Sequence, residues 1–239
     1  MIVVTFALPA ESKAFISRLQ NKRRIPFLDD DFICGEIGAR SLTIFHTGVG
    51  RRVAERRLIE FLGNQPFEIL VSSGFAGGAG PEMSVGDLFI AENVSDSQLF
   101  AIAQRTLTHL HPHTGKLSTS SRIVDSATQR MQLARSRGAD AIDMETDVIA
   151  QTCVERGIPM LSLRAISDTL REPFPAPPAV LFDIEQQKTH ITSLAAYLIR
   201  KPTAIGPLIR FARQIERTRE TLADALTSLV QDDSFRHSA

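Results

Sequence analysis

Tryptophan does not occur in this 239-residue chain, tyrosine occurs once, and the only cysteines are Cys34 and Cys153. A disulfide-stapled secreted scaffold needs more cysteine than that. The two lie far apart inside apolar patterns, so the expectation is a pair of reduced thiols in a cytoplasmic protein. An excess of either charge is also missing, because 27 Lys and Arg balance 27 Asp and Glu. That removes the electrostatic footprint of a nucleic-acid binder. No stretch approaches the ~20 apolar residues of a membrane-spanning helix. The apolar start, MIVVTFALPAE, has no basic segment ahead of it and reads as a strand rather than a secretory signal. Repeats and linker-like composition are absent as well, so residues 1–239 read as one domain, with the polar last ten residues expected to fray.

What is present is an α/β pattern with a hydrophobic fraction of 43%, ample for a core. Ile2 to Leu8 is β-branched and continuously apolar, as a central parallel strand is. Glu11 follows in the first turn of a helix whose apolar stripe includes Phe15, Ile16 and Leu19; there it complements the helix dipole. Phe32–Ile37 and Ser41–His46 form a hairpin about Gly38-Ala39-Arg40, and Thr47-Gly48-Val49-Gly50 turns into a helix carrying Val53, Ala54, Leu58, Ile59 and Leu62. Strands are expected at Phe67–Val71 and Val85–Ala91, with a glycine-rich loop, Gly74 to Gly78, after the first. Glycines there let the backbone approach a ligand closely. His109, His111 and His113 alternate in HLHPHTG; without carboxylates or cysteines at ligand spacing they read as a polar loop and not as a metal site. Four prolines in the six residues Pro173–Pro178 forbid a helix and mark a stiff rim or a surface connection. Helices at Gln187–Arg200 and Ile205–Val230 close the chain, the second with a core-facing stripe from Leu208 and Ile209 through Ala212, Ile215, Leu222, Ala225 and Leu226 to Leu229.

The chain turns on DAIDMETDVIAQTCVERGIPMLSLRAISD, Asp140 to Asp168. A short apolar run meets Glu145, a helix follows with Val148, Ile149, Thr152 and Cys153 on one stripe, and Gly157 is placed to end it in the left-handed conformation. A second apolar run, Met160–Ile166, ends on Ser167-Asp168. Read as a parallel crossover, this delivers one carboxylate at the carboxyl end of each of two strands, where α/β sheets bind ligands.

AIDMET followed about twenty residues later by RAISD resembles the signature of the nucleoside phosphorylase/nucleosidase superfamily, and SSGFAGGAGPEMSVGD and HTGVG resemble its glycine-rich loop and earlier turn. These four motifs, in order, span roughly the first 170 residues. The resemblance implies a three-layer αβα domain with a central mixed, mostly parallel twisted sheet, and an enzyme that cleaves the N-glycosidic bond of a purine nucleoside. By the same resemblance Asp168 is the acid at the purine edge, Glu145 takes the ribose hydroxyls, and Glu11 orients or activates the nucleophile with Arg164 beside it. Met144, Asp143, Ser167, Phe75, Ala76, Gly77, Val49 and Thr47 would complete the substrate site. It implies no cofactor, with phosphate as a co-substrate in the phosphorylase branch, and a homodimer or higher homo-oligomer.

An aspartate at the base edge separates the purine members from the uridine members, and adenine is the favoured base. Glu11 in ALPAE resembles the nucleosidases acting on methylthioadenosine and S-adenosylhomocysteine, while the glycine-plus-arginine phosphate pattern of the bacterial phosphorylases is missing from Met1 to Lys13. Residues 115–145 and the tail LIRKPTAIGPLIRFARQIERTRETLADAL resemble most the hopanoid-associated phosphorylase-like subgroup, which is linked to removing adenine from adenosylhopane; an apolar 5′ substituent would suit Phe174 and the proline-rich rim. One departure is Phe75, where several relatives carry a serine whose hydroxyl meets the phosphate or water; Thr47 and Ser73 are the candidate substitutes. Two rival readings stay open: a true phosphorylase using Arg51, Arg52 or Arg164 for phosphate, and a non-catalytic nucleoside binder. The Val53–Leu62 helix and the apolar segment Phe100–Leu110 are the expected subunit contacts.

Overall fold

The computed structural model describes all residues except 29, 64–66, 125, 178–179, 181, 184–187, 190–196, 199 and 236–239. The strands of its main sheet are β1 (Ile2–Phe6), β2 (Gln20–Phe27), β3 (Asp30–Ile37), β4 (Arg40–His46), β5 (Ile69–Gly78), β6 (Leu88–Ala91), β7 (His113–Gly115), β8 (Leu117–Thr119), β9 (Ala141–Asp143) and β10 (Met160–Asp168), and a separate antiparallel pair joins β11 (Phe182–Asp183) to β12 (Lys188–Thr189). Helices are α1 (Pro9–Arg18), α2 (Arg51–Leu62), α3 (Ser97–Thr106), α4 (Ala127–Arg137), α5 (Thr146–Arg156) and α6 (Ile205–Gln231).

The main sheet has ten strands in the order β2-β3-β4-β1-β5-β10-β6-β7, with β8 and β9 branching from β5. It is mixed: β1 pairs β4 and β5 in parallel, as do β5 with β10, β6 with β7 and β8 with β9, while the other four pairings are antiparallel. Side-chain alternation along the central strands divides the core between the two faces. Ile2, Val4 and Phe6 of β1, Ile69 and Val71 of β5 and Leu161 and Leu163 of β10 meet α1, α3 and α6 on one side. Val3, Leu70 and Met160 meet α2 and α5 on the other. Every residue of β1 and β10 is buried, and this gives a three-layer αβα sandwich.

The structure departs from the sequence reading at several places. Gly74–Gly78 is not a loop: β5 runs through it, leaving β1 after Ser72, staying with β10 to Gly77 and picking up β9 at Gly77 and Gly78. Glycine is no strand former, and the pairing of both edges overrides that propensity. Nor is β9–α5–β10 a parallel crossover, because β9 runs antiparallel to β5 and β10 parallel to it. Strand β2 went unread because QNKRRIPF is polar, and it is an edge strand with seven exposed positions. The three histidines do not share a side: His109 lies in a 3-10 turn, His111 is left-handed, and His113 lies on β7, its Nε2 3.0 Å from Asp87 Oδ2. Phe100–Leu110 belongs to α3 and the turn after it. Ile102, Ala103 and Leu107 are buried in the subunit core, and Phe100 and Leu110 pack partly against it. Tail fraying is excluded as far as Phe235, which is fully buried, while Arg40 donates to the carbonyls of Asp232 and Phe235. In α6 the buried stripe begins at Thr218; Ile209 and Ala212 are exposed. Most of the expected Gln187–Arg200 helix and Pro178 lie outside the described residues, and the described Lys188–Thr189 is a short strand paired with Phe182–Asp183, not helix.

Candidate active site

Strands β1, β5 and β10 are parallel and end on the same side, so the chain after Phe6, the Phe75–Gly77 segment and Ser167-Asp168 converge. With Met144 and Glu145 after β9, they floor a cavity of about 440 Å³. Its walls are largely apolar, including Leu8, Val49, Ala76, Ile142, Phe174, Phe211 and Ile215, and its acids are Glu11, Asp143, Glu145 and Asp168. A small-molecule site has this makeup, an apolar hollow with a few convergent polar groups.

Glu11 sits where α1 begins. Its Oε2 accepts from the Leu8 amide at 3.0 Å and its Oε1 from the Phe75 amide at 3.1 Å. A Cβ at Gly74 would lie 3.1 Å from Glu11 Oε1, and Gly74 has φ of +140°, so glycine is required there on both counts. Burial pushes the Glu11 carboxyl above its ordinary range, against the pull of those two amides and Arg164. The helix-dipole role is therefore incomplete as an account of Glu11, since the carboxylate spans two elements and faces the cavity.

Glu145 precedes α5, and its Oε1 accepts from the Gly50 amide at 2.7 Å, tying it to the HTGVG turn. Burial first, then the neighbouring Asp143, push its carboxyl up to about 8. Asp143 also lines the cavity, but its oxygens are committed to the protein. They accept from Thr119 Oγ1 at 2.8 Å, from the amide and hydroxyl of Thr146, and from Arg164 Nη2 at 3.1 Å. Arg164 Nη2 donates as well to Ser72 Oγ at 2.8 Å. Asp143 and Arg164 thus form a buried, paired framework behind Glu11 and Glu145.

Asp168 is held from two sides. Ser167 Oγ donates to its Oδ1 at 2.7 Å, and Arg130 Nη2 pairs with its Oδ2 while Arg130 Nη1 donates to the Asp168 carbonyl at 3.3 Å. Burial raises the Asp168 carboxyl above its ordinary range, the Arg130 charge opposing. Sequence reasoning missed Arg130. Its trace is a charge on the buried face of α4, one turn before Ala134, where an apolar residue is the rule. The guanidinium lies so close to β5 that a Cβ at Gly77 would come within 3.1 Å of Arg130 Cζ, which gives that glycine its reason.

A second, much smaller chamber of about 10 Å³ adjoins the first. Glu11, Glu145, Thr47, Ser73, Phe75 and Arg164 are among its walls. Ser73 Oγ and Arg164 Nε are both buried without a hydrogen-bond partner among the described residues. Thr47 Oγ1 points elsewhere, within reach of the Phe6 and Gly48 carbonyls, so of the two substitutes for the missing serine it is Ser73 that has a free hydroxyl. Arg51 and Arg52 are exposed on α2 and line neither cavity. Among the described residues no group of three or more His, Cys, Asp and Glu could hold a metal ion. No helix there is long and apolar enough to cross a membrane.

The chain is similar to several known proteins. The chain is 21% identical over 198 residues, 71% of its length and 86% of the relative's, to a 5′-methylthioadenosine/S-adenosylhomocysteine nucleosidase of Shewanella halifaxensis. It is 31% identical over 133 residues to a futalosine hydrolase of Streptomyces coelicolor, covering 45% of this chain and 56% of that one. A solved 5′-methylthioadenosine/S-adenosylhomocysteine nucleosidase from Neisseria meningitidis, in complex with methylthio-immucillin-A, shares the fold with a TM-score of 0.71 at 17% identity, over 95% of this chain and 96% of that one. The family model of the phosphorylase superfamily matches residues 1–109 and 94–200, most of the chain, and the protein belongs to that superfamily.

Proposed function

We propose that this enzyme hydrolyses the N-glycosidic bond of a 5′-substituted adenosine nucleoside and releases adenine. The observation that carries the reading is the pairing of the two cavities. One is nucleoside-sized and apolar, with Glu145 and Asp168 on its floor; the other is about one water molecule in size, with Glu11 on its wall. The names of the relatives support the reaction class.

In this reading the adenine lies toward Asp168 and the ribose over Met144 and Glu145. Water in the small chamber donates to Glu11 and is held by Ser73 Oγ and Arg164 Nε. As the bond between C1′ and N9 lengthens, its electron pair moves to the base. Asp168, whose carboxyl burial raises above its ordinary range, then delivers a proton to the base at N7. Positive charge growing on the sugar is met by Glu145, whose carboxylate accepts the ribose hydroxyls. Water oxygen bonds to C1′, its proton passes to Glu11, and the products are adenine and the free sugar. Arg130 and Ser167 fix the Asp168 carboxyl in one orientation without touching the base.

Phosphorolysis requires a much larger anion where the small chamber stands, with Arg51 and Arg52 turned to solvent. The test is incubation with 5′-methylthioadenosine with and without phosphate. The expected products are adenine and free methylthioribose at a rate independent of phosphate. A sugar 1-phosphate would make the enzyme a phosphorylase, and no release from any adenosine analogue would make it a binder. We propose in addition that the protein assembles as a homodimer through α2, where Ile59 is 44% exposed. A monomer mass by light scattering at full activity would refute that.

A further inference from the structure

A third cavity, of about 460 Å³, lies beside the nucleoside pocket and meets it at Phe211, which lines both. Its walls are Pro173 and Pro175 of the proline-rich segment and one face of α6. Phe174 and Phe211 stand at the junction with their rings 5.4 Å apart, edge to face. The helix face presents Arg210, Arg213 and Arg217, at the spacing that places side chains along one side of a helix. Exposed arginines on a helix are ordinarily solvated, and two features set these three apart. They converge on a walled hollow, and none of them is in an ion pair among the described residues. The one acid in the wall, Glu172, accepts from Gln214 at 3.1 Å instead.

We infer that this cleft is the subsite for the 5′ substituent, and that the substituent is an extended group, apolar where it passes Phe174 and Phe211 and ending in an anion such as a carboxylate. The inference rests on the nucleoside reading of the floor pocket and names the substrate class for it. A short neutral 5′ group ends before the cleft and gains nothing from it. A long apolar group fills the aromatic neck but leaves three guanidinium groups facing no partner. Only a chain with an acidic end satisfies both halves, because a guanidinium fork pairs a carboxylate in two parallel hydrogen bonds. The same cationic face would also draw an acidic substrate toward the pocket mouth, which makes association sensitive to salt.

The test compares three thioethers of adenosine: methyl, hexyl and carboxypentyl. Wild-type enzyme is expected to favour the carboxypentyl over the hexyl compound by roughly tenfold or more in kcat/KM, with the advantage falling as salt is raised. The Arg210→Ala/Arg213→Ala/Arg217→Ala variant should lose that preference and keep its turnover of the methyl compound. Arg213→Glu alone should reverse the preference, and serves if the triple variant does not fold. An equal preference in wild type and variant, or a wild-type preference for the hexyl compound, overturns the inference. Should none of the three release adenine, the glycosidic reading itself fails. Calorimetric titration of the carboxypentyl compound then decides the cleft: binding that weakens about tenfold in the triple variant supports it, and unchanged binding refutes it.

Discussion

The floor of the pocket and its rim are built on opposite plans. Floor groups are packed in the core, on α1, α4, β10 and at the start of α5: Glu11, Glu145, Asp168, Arg130 and Arg164 are all buried, and each has a named partner from another element. The rim consists of Phe174, Phe211 and the first turns of α6, partly or fully exposed and held by few interactions. Groups that must keep a shifted ionisation have to be dry and immobile, so they sit where the core packs. Groups that choose among substituents need only a surface. Chemistry and selectivity should therefore separate cleanly under mutation.

The largest effect is expected on the floor. Glu11→Gln keeps the shape but cannot accept a proton from water, so kcat should fall by about 10²–10⁴-fold; turnover within a few-fold of wild type would remove Glu11 from the chemistry. Arg130→Met sharpens the distinction between acting and positioning. Loss of the cation that holds Asp168 should cost roughly tenfold in kcat through lost orientation. It should also move the alkaline limb of the kcat–pH profile to higher pH, because the charge that opposes protonation of Asp168 is gone. A purely structural Arg130 would lower stability and leave that limb in place.

Glu145 predicts a stability signature. Its carboxyl titrates at an ordinary 4.5 in the unfolded chain and at about 8 in the fold. Below that window both states hold the proton. Within it the unfolded chain releases the proton while the folded chain keeps it, so folding stability declines with rising pH by up to ~1.4 kcal/mol per pH unit. Above it the loss is complete. Urea unfolding across this range should show a shallower decline in Glu145→Gln than in wild type; equal slopes would mean that Glu145 is not held protonated. The smallest effect belongs to the rim: Phe174→Ala should raise KM several-fold with kcat little changed, because it removes contact to the ground and transition states alike. A large drop in kcat there would erase the division between floor and rim.

That division also explains what could be read from the chain alone. Strands β1 and β10 and the helix α5 announce themselves by continuous apolar runs, an apolar stripe and Gly157, which does adopt the left-handed cap. Glu11, Glu145 and Asp168 were legible because each follows such a run, and the structure gathers them into one cavity. Arg130 was not, since its purpose depends on Asp168, 38 residues away, and on a glycine in a third element. The path of β5 through Gly74–Gly78 was hidden for the same reason: pairing across both edges, and not local preference, makes it a strand. Asp143, inside the strongest motif, lines the cavity with its carboxylate occupied by Thr119, Thr146 and Arg164, partners that only the folded chain brings to it.

Asp168 as the proton donor to the departing base is the step on which the proposed hydrolysis depends. The direct measurement is adenine release from 5′-methylthioadenosine by Asp168→Asn, alongside calorimetric affinity for the same nucleoside. The amide preserves the shape and the bond from Ser167 but cannot deliver a proton. Turnover should therefore fall by about 10²–10⁴-fold while the nucleoside still binds. An Asn variant that releases adenine at close to the wild-type rate would contradict the account.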